Sequence, residues 1–321
     1  MKNRIWSLIQ NFFPVIALAV ILVVFTFLSG GKIWTAKNLQ SVLNTMIPYC
    51  IGGAGLLFAS AQGSSNMSVG STLAFSAAVG AWVSNQVGFW AFVPTCLIVG
   101  LLCGCFIGWF ITTFKVSSLM VTLAMLIALR ALVTLITNGS SIFVDFAVMQ
   151  FNNLEIKLPI FLVLMVGFWY LFEHTKLGYF SRCMGENEVV GKFSGIPVNK
   201  YKVIAYALAG LMAGVVAVFN VANICGASAT MGNFFEMTCM IAMYVGGVPI
   251  RGGSKSRFYK LIIGAVTLAF LSNGLTISRV NSAYSELIQG VILLSVVFMS
   301  NFIQKQVTRY QMAAAAKASV A

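Results

Sequence analysis

Charge is what this sequence has least of. Of its 321 residues only 8% are Asp, Glu, Lys or Arg, and just seven are acidic. A water-soluble domain carries roughly 25%. There is one histidine, His174. With so few groups able to exchange a proton, acid–base catalysis has little material to work with. No G-x-x-x-x-G-K-[ST] phosphate loop is present, so the chain does not hydrolyse nucleotide by that machinery, and neither H-E-x-x-H nor G-x-S-x-G occurs. The seven cysteines lie mostly inside apolar runs, where Cys behaves as a small hydrophobe. Cys103 and Cys105 have no His or carboxylate beside them, so neither a metal site nor a disulfide framework is expected.

Apolar residues fill the space left by charge. They make up 59% of the chain, with a mean hydropathy of +0.92, and they come in repeated runs of about 18 residues or more, the length that crosses a bilayer as helix. An outer-membrane barrel would instead alternate polar and apolar residues in roughly ten-residue segments. The fold class expected is therefore an all-α polytopic membrane protein of about ten transmembrane helices. The spans are placed at 12–28, 39–61, 67–83, 90–112, 118–136, 159–173, 200–222, 234–247, 259–276 and 283–303. The first has a basic start but no small-residue cleavage site after it, and is read as an uncleaved span. The second contains Pro48, Gly52, Gly53 and Gly55, the eighth is short, and both are expected to be broken or half-buried helices. One transmembrane domain, 1–305, and a tail, 306–321, complete the layout.

The net charge of +13 is informative through its distribution. With the N-terminus inside, 15 of the 20 Lys and Arg fall in inner loops and tails. Lys32, Lys37, Lys157 and Arg279 fall outside, and Arg130 lies within a span. The asymmetry favours both termini in the cytoplasm and an even number of spans, and it replaces any nucleic-acid reading of the basic balance. Spans 2–5 then enter from outside and spans 7–10 from inside, the arrangement an inverted-repeat transporter needs.

One polar stretch, "RCMGENEVVGKFSGIPVNKYK" from Arg182 to Lys202, stands apart. Asn187 is a good N-cap, and Glu188 lies near the positive end of the helix that follows. Val189, Val190 and Phe193 share one face. Lys192 lies near the C-terminal end, Gly195 suits the left-handed position after a helix, and Pro197 prevents continuation. About two turns of helix are predicted, too short to be stable alone. Such a helix needs a surface: its own protein, lipid headgroups, or a partner.

Arg130 is the deepest lone charge, about 18 Å from the inner end of its span. It is expected either to pair with Glu236 or Glu286 or to line a wet path. The spacings Gly100-x-x-x-Gly104-x-x-x-Gly108 and Gly210-x-x-x-Gly214 fit close helix packing.

The segment "HTKLGYFSRCMGENEVVGKFSGIPVNKYK" resembles the cytoplasmic segment of ribose-type ABC sugar permeases. "SVGS" at 68–71, "VTLAMLIALRA" at 121–131, "TNGS" at 137–140, the paired glycines at 246–247 and 252–253, and "FLSNGL" at 270–275 match the same family in the same order. The resemblance covers nearly the whole chain. It implies an importer permease in the bacterial plasma membrane, with no cofactor of its own because ATP is bound by a cytoplasmic ABC ATPase. An extracytoplasmic solute-binding protein and a second permease subunit, identical or paralogous, are implied alongside membrane lipid. Residues 186–195 would be the coupling helix docking on the ATPase, through Glu186, Asn187, Glu188, Val189, Val190, Lys192, Phe193 and Gly195. Asn66, Ser68, Arg130, Glu236 and Asn273 are candidates for the translocation path. Two acids of the family pattern are replaced, by Asn66 and Thr238, and the loop "GGVPIRGGSK" carries Pro249 and Arg251. The alternative class is an ion-gradient-driven carrier, which needs intramembrane acids. A membrane-embedded enzyme is disfavoured by the missing catalytic constellations.

Overall fold

The computed structural model describes residues 2–278 and, beyond them, Tyr284, Leu287, Ile288, Gly290, Val291, Leu294, Ser295 and Phe298, with side chains from Pro14 onward. The helices are α1 Lys2–Leu28, α2 Ala36–Ala61, α3 Val69–Val87, α4 Phe92–Phe114, α5 Ser118–Thr137, α6 Leu154–His174, α7 Lys176–Glu186, α8 Glu188–Phe193, α9 Val198–Ile224, α10 Phe235–Val245 and α11 Phe258–Ile277. The only strands among the described residues are β1, Ile142–Phe143, and β2, Gly226–Ala227, which pair antiparallel. Each of the first nine expected spans corresponds to a helix. The tenth, 283–303, and the tail 306–321 lie outside the described stretch apart from the scattered residues named above.

Six helices among the described residues are long and apolar enough to cross a membrane: those at Ala36–Ala61, Phe89–Phe114, Ser118–Thr137, Leu154–His174, Val198–Ile224 and Phe258–Ile277. The protein is an all-α polytopic membrane protein. Helix α10 has 11 residues, about 16 Å of rise against a hydrocarbon core of about 30 Å, so it is the half-length element its sequence suggested. Helix α3 is not among the six. Its hydropathy is lowered by Ser71, Thr72, Ser76 and Ser84, all of which are buried in the protein. A helix that faces protein on most sides has no need of a lipid-soluble surface.

Two compact units make up the chain. One takes the described residues within Met1–Met46, Ile241–Val248 and Tyr259–Ala321; the other takes Ile47–Met240 and Pro249–Phe258. In the first, Gly274 lies against the Phe25 ring, Trp34 packs on Phe270 at 6.3 Å, and Gly246 and Gly264 bring α10 and α11 into backbone contact. In the second, α4 and α9 run together along a glycine seam. A Cβ on Gly100, Gly104 or Gly108 would strike the backbone of α9, and one on Gly210 or Gly214 would strike α4. The two small-residue spacings are thus the two halves of one intramolecular contact.

The expected break in α2 is absent. The helix runs unbroken from Ala36 to Ala61 with Pro48 inside it. Its glycines answer to packing instead: Gly52 sits under Phe235 and Cys239, and Gly55 under Ala209 and Met212. The non-helical backbone lies just beyond, in the segment joining α2 to α3. There Asn66 and Ser68 are 3% and 1% exposed, and the Tyr206 hydroxyl of α9 donates to the Ser65 carbonyl at 3.1 Å. Irregular backbone of this kind is tolerated inside a membrane protein because protein covers it and supplies its hydrogen bonds.

Candidate functional site

Two groups of residues in the second unit carry candidate functions. The first surrounds the entrance to α3. Asn66 Oδ1 accepts from the Ser68 amide at 3.1 Å and the Ser68 hydroxyl at 2.8 Å, an Asx turn that sets the start of the helix. An aspartate at position 66 would make the same turn with an added charge. Glu236 is 3% exposed and lies against Gly70, where a Cβ would collide with its Oε2. Its carboxylate therefore meets the first turn of α3, the positive end of that helix's dipole. Arg130 reaches from α5 to donate through Nη1 to the carbonyls of Ala229 and Met231, at 2.8 and 2.7 Å.

Of the two carboxylates expected to pair with Arg130, Glu236 makes no direct bridge to it among the described residues, and Glu286 is outside them. The turns between β2 and α10 leave carbonyls with no helical donor, and the guanidinium, which carries only donors, satisfies two of them. Asn66, Ser68, Arg130 and Glu236 thus gather around the start of α3 and the turns that precede α10. Asn273 belongs to the first unit, where it is 7% exposed with its Oδ1 unpartnered among the described residues.

The second group lies where α2 ends and α9 begins. Thr175 caps α7 by accepting from the Leu177 amide at 3.2 Å. Gly178, Ser181 and Met184 form its buried face. At the end of α6, Glu173 accepts from Arg182 at 2.7 Å, Arg257 at 2.9 Å and the Phe258 amide at 3.0 Å. The Arg182 guanidinium also lies 5.2 Å from the Phe172 ring centroid. Gln62 Nε2 donates to Ser181 Oγ and the Tyr201 carbonyl, each at 3.1 Å. Glu186 Oε1 accepts from the Ser254 amide at 2.8 Å and its hydroxyl at 2.6 Å, and the Gly253 amide donates to the Ala61 carbonyl at 2.9 Å. These bonds to Ser254, with Lys255 nearby, hold the Glu186 carboxyl below its ordinary value against the opposing effect of burial.

Helix α8 follows directly. Asn187 Oδ1 accepts from the Val189 and Val190 amides at 2.9 and 3.1 Å, the cap its sequence suggested. Gly195 has φ +82°. The Gly195 amide donates to the Lys192 carbonyl and the Ile196 amide to the Gly191 carbonyl, both at 3.1 Å, which makes a Schellman closure. Lys202 pairs with Glu188 at 2.7 Å. The apolar face does not turn inward. Val189, Val190 and Phe193 are 63%, 58% and 87% exposed, and only Gly191 is buried.

Sequence reasoning missed α7 as a helix of its own and missed Glu173 as the centre of its attachment. Glu173 was visible as a carboxylate at the end of an apolar run. Its partners Arg257 and Phe258 are 84 and 85 residues away, and nothing local points to them.

The family model described as "Branched-chain amino acid transport system / permease component" matches residues 38–297. The chain is 30% identical over 310 residues to the ribose import permease protein of Escherichia coli K12, covering 93% of this chain and 95% of that one. It is 24% identical over 308 residues to the D-allose transport system permease protein of the same organism, covering 94% and 93%. It is 24% identical over 363 positions to the xylose transport system permease protein, also from that strain, covering 91% and 92%. No solved structure matches the chain.

Proposed function

The chain belongs to the family of branched-chain amino acid transport system permease components and is a ribose-type ABC transporter permease, and from that premise we propose that it conducts a sugar or related small polar solute into the cell. It is a multi-pass inner-membrane protein. In this reading a separate cytoplasmic ATPase binds and hydrolyses ATP, and this chain holds no cofactor and catalyses no reaction. An extracytoplasmic binding protein delivers the solute, and a second permease subunit completes the pore. About ten spans in two inverted blocks, with both termini in the cytoplasm, form the pathway.

The observation that carries the coupling is the outward face of α8. A two-turn helix closed at both ends by caps, with Phe193 87% exposed, is a rigid apolar knob. Burying a Phe side chain is worth about 1.5–3 kcal/mol, and Val189 and Val190 add to it. That surface supports a docking role for residues 186–195: Glu186 fixes the root of the helix, Asn187 and Gly195 fix its ends, and Glu188 and Lys192 flank the apolar contact. The helix is held to the spans through α7, so movement of the ATPase is transmitted rather than dissipated.

For the solute, the side chains of Asn66, Ser68, Arg130 and Glu236 in the second unit are groups of the kind that hydrogen-bond a polyol, and in the first unit Asn273 is another. The sugar assignment follows the relatives that import ribose, allose and xylose. Reconstituted vesicles test the reading. Uptake of a labelled aldopentose is expected only with ATPase, ATP and binding protein present, and excess leucine is expected to leave it unchanged. Uptake by this chain alone, driven by a proton or sodium gradient, would overturn it.

A further inference from the structure

Beside α8, a cleft of about 690 Å³ opens between the end of α4, α8 and the start of α9. Lys115, Lys192, Lys200 and Lys202 line it, with Glu188 the only acid. Glu188 is already taken by Lys202 at 2.7 Å. Among the described residues, Lys115, Lys192 and Lys200 have no carboxylate within ion-pair distance. Three uncompensated cations therefore face one cavity in a chain with only 20 basic residues. The first turn of α9, Val198 to Lys200, forms part of the wall and adds the positive end of its dipole. Like charges lining one cavity repel one another, and a bound anion offsets that repulsion.

The surroundings identify the source of that anion. Lys115 directly follows α4, whose last turns carry a chain of packed rings. Phe106 and Trp109 lie 6.0 Å apart, Trp109 and Phe114 6.1 Å, and Phe110 and Phe114 4.5 Å. Phe106, Trp109 and Phe114 are 48%, 50% and 56% exposed, and Met120 on α5 is 69% exposed. Trp109 near the end of a membrane span has the amphipathic ring favoured at the headgroup level, and the exposed Phe and Met side chains around it suit acyl chains. A basic pocket between spans at that level has the chemistry of a lipid phosphate site.

We propose that this cleft binds the phosphate headgroup of an anionic phospholipid, with its acyl chains lying along the exposed rings of α4. The inference needs only a membrane-embedded chain; Glu188 and Lys192 are shared with the proposed ATPase contact, whereas the residues varied in the test, Lys115 and Lys200, are not. The test uses the full-length protein in nanodiscs containing phosphatidylglycerol and phosphatidylcholine, followed by mass spectrometry of the lipid retained after delipidation. Phosphatidylglycerol should be enriched. The double variant Lys115→Asn/Lys200→Gln should lose about fivefold per lysine, about 25-fold in all. Asn is chosen because position 115 has φ 53°, which Asn tolerates. Should the double variant fail to fold, Lys200→Gln alone reads the same loss at about fivefold. Equal retention of the two lipids by the unmutated chain overturns the proposal. So does displacement of phosphatidylglycerol by inorganic phosphate, which would make free phosphate the ligand. Retention of phosphatidylglycerol by variants that instead lose an acidic protein partner would make the cleft a protein contact, and would equally overturn it.

Discussion

Helices α7 and α8 are neighbours in sequence, separated by Asn187 alone, and they solve opposite problems. In α7 the buried side chains and polar ends all find partners within the chain: Gln62 on Ser181, Glu173 on Arg182, Glu186 on Ser254. In α8 the polar backbone is closed by caps while the large apolar side chains are left outside. Capping satisfies the end groups of α8, which at under two turns still leans on the chain through Lys202 and the buried Gly191, whereas burial immobilises α7 by attaching it along its length. The pair is therefore a fixed bracket followed by a stiff projecting tip. Within the proposed importer, the bracket belongs to the permease and the tip to the contact with the ATPase.

That contrast can be broken most severely at the bracket. Glu173→Ala should destabilise the protein by about 3–5 kcal/mol, because Arg182 would keep a largely buried charge with no partner. A large fall in the unfolding temperature of the detergent-solubilised protein would report it. Gly185→Ala comes next, at about 3 kcal/mol, since a Cβ there meets the Ala61 carbonyl and the Gly253 amide, backbone atoms with little freedom to yield. At the tip the effect should change kind. Phe193→Ala should alter stability by no more than about 0.5 kcal/mol, as an exposed position, yet weaken co-purification with the ATPase by about 2 kcal/mol, the size of an interface hot spot. A Phe193→Ala protein that unfolds early but binds normally would assign α8 to the bracket.

The smallest effect is one of pH. The Glu186 carboxyl is depressed below its ordinary 4.5 by the Ser254 hydroxyl and amide. A depressed folded value means that the Glu186–Ser254 link contributes fully above pH 4.5 and is lost as the pH falls through the lower folded value. Hydrogen exchange at the Ser254 amide should lose its protection over that interval, relative to neighbouring amides. Glu186→Gln should abolish the pH dependence.

How far the sequence disclosed all this varies with the range of the interaction. Spans were legible because lipid demands continuous apolar runs, and the caps of α8 because Asn187 and Gly195 act within a few residues of themselves. Pro48 misled. A proline costs a helix one hydrogen bond and a steric clash, but packing in a covered helix absorbs both, and the irregular backbone fell instead at the Gln62–Ser68 segment. Arg130 was rightly singled out as needing a partner, but its partners are backbone carbonyls, which every residue has and no motif displays. The attachment of α7 was illegible for a related reason: Glu173 and Arg257 meet only once the chain has folded.

The glycine seam of α4 and α9 has a mechanical result. Backbones this close interlock like the teeth of a clamp, so neither helix slides without the other. Helix α9 has 27 residues, about 40 Å of rise, and its first residues stand beside α8 while its last lead into the turns that hold Arg130. Within the proposed importer, a push delivered at Phe193 would have a lever about as long as the bilayer is thick, clamped along its length, with its far end set beside the grip on Ala229 and Met231.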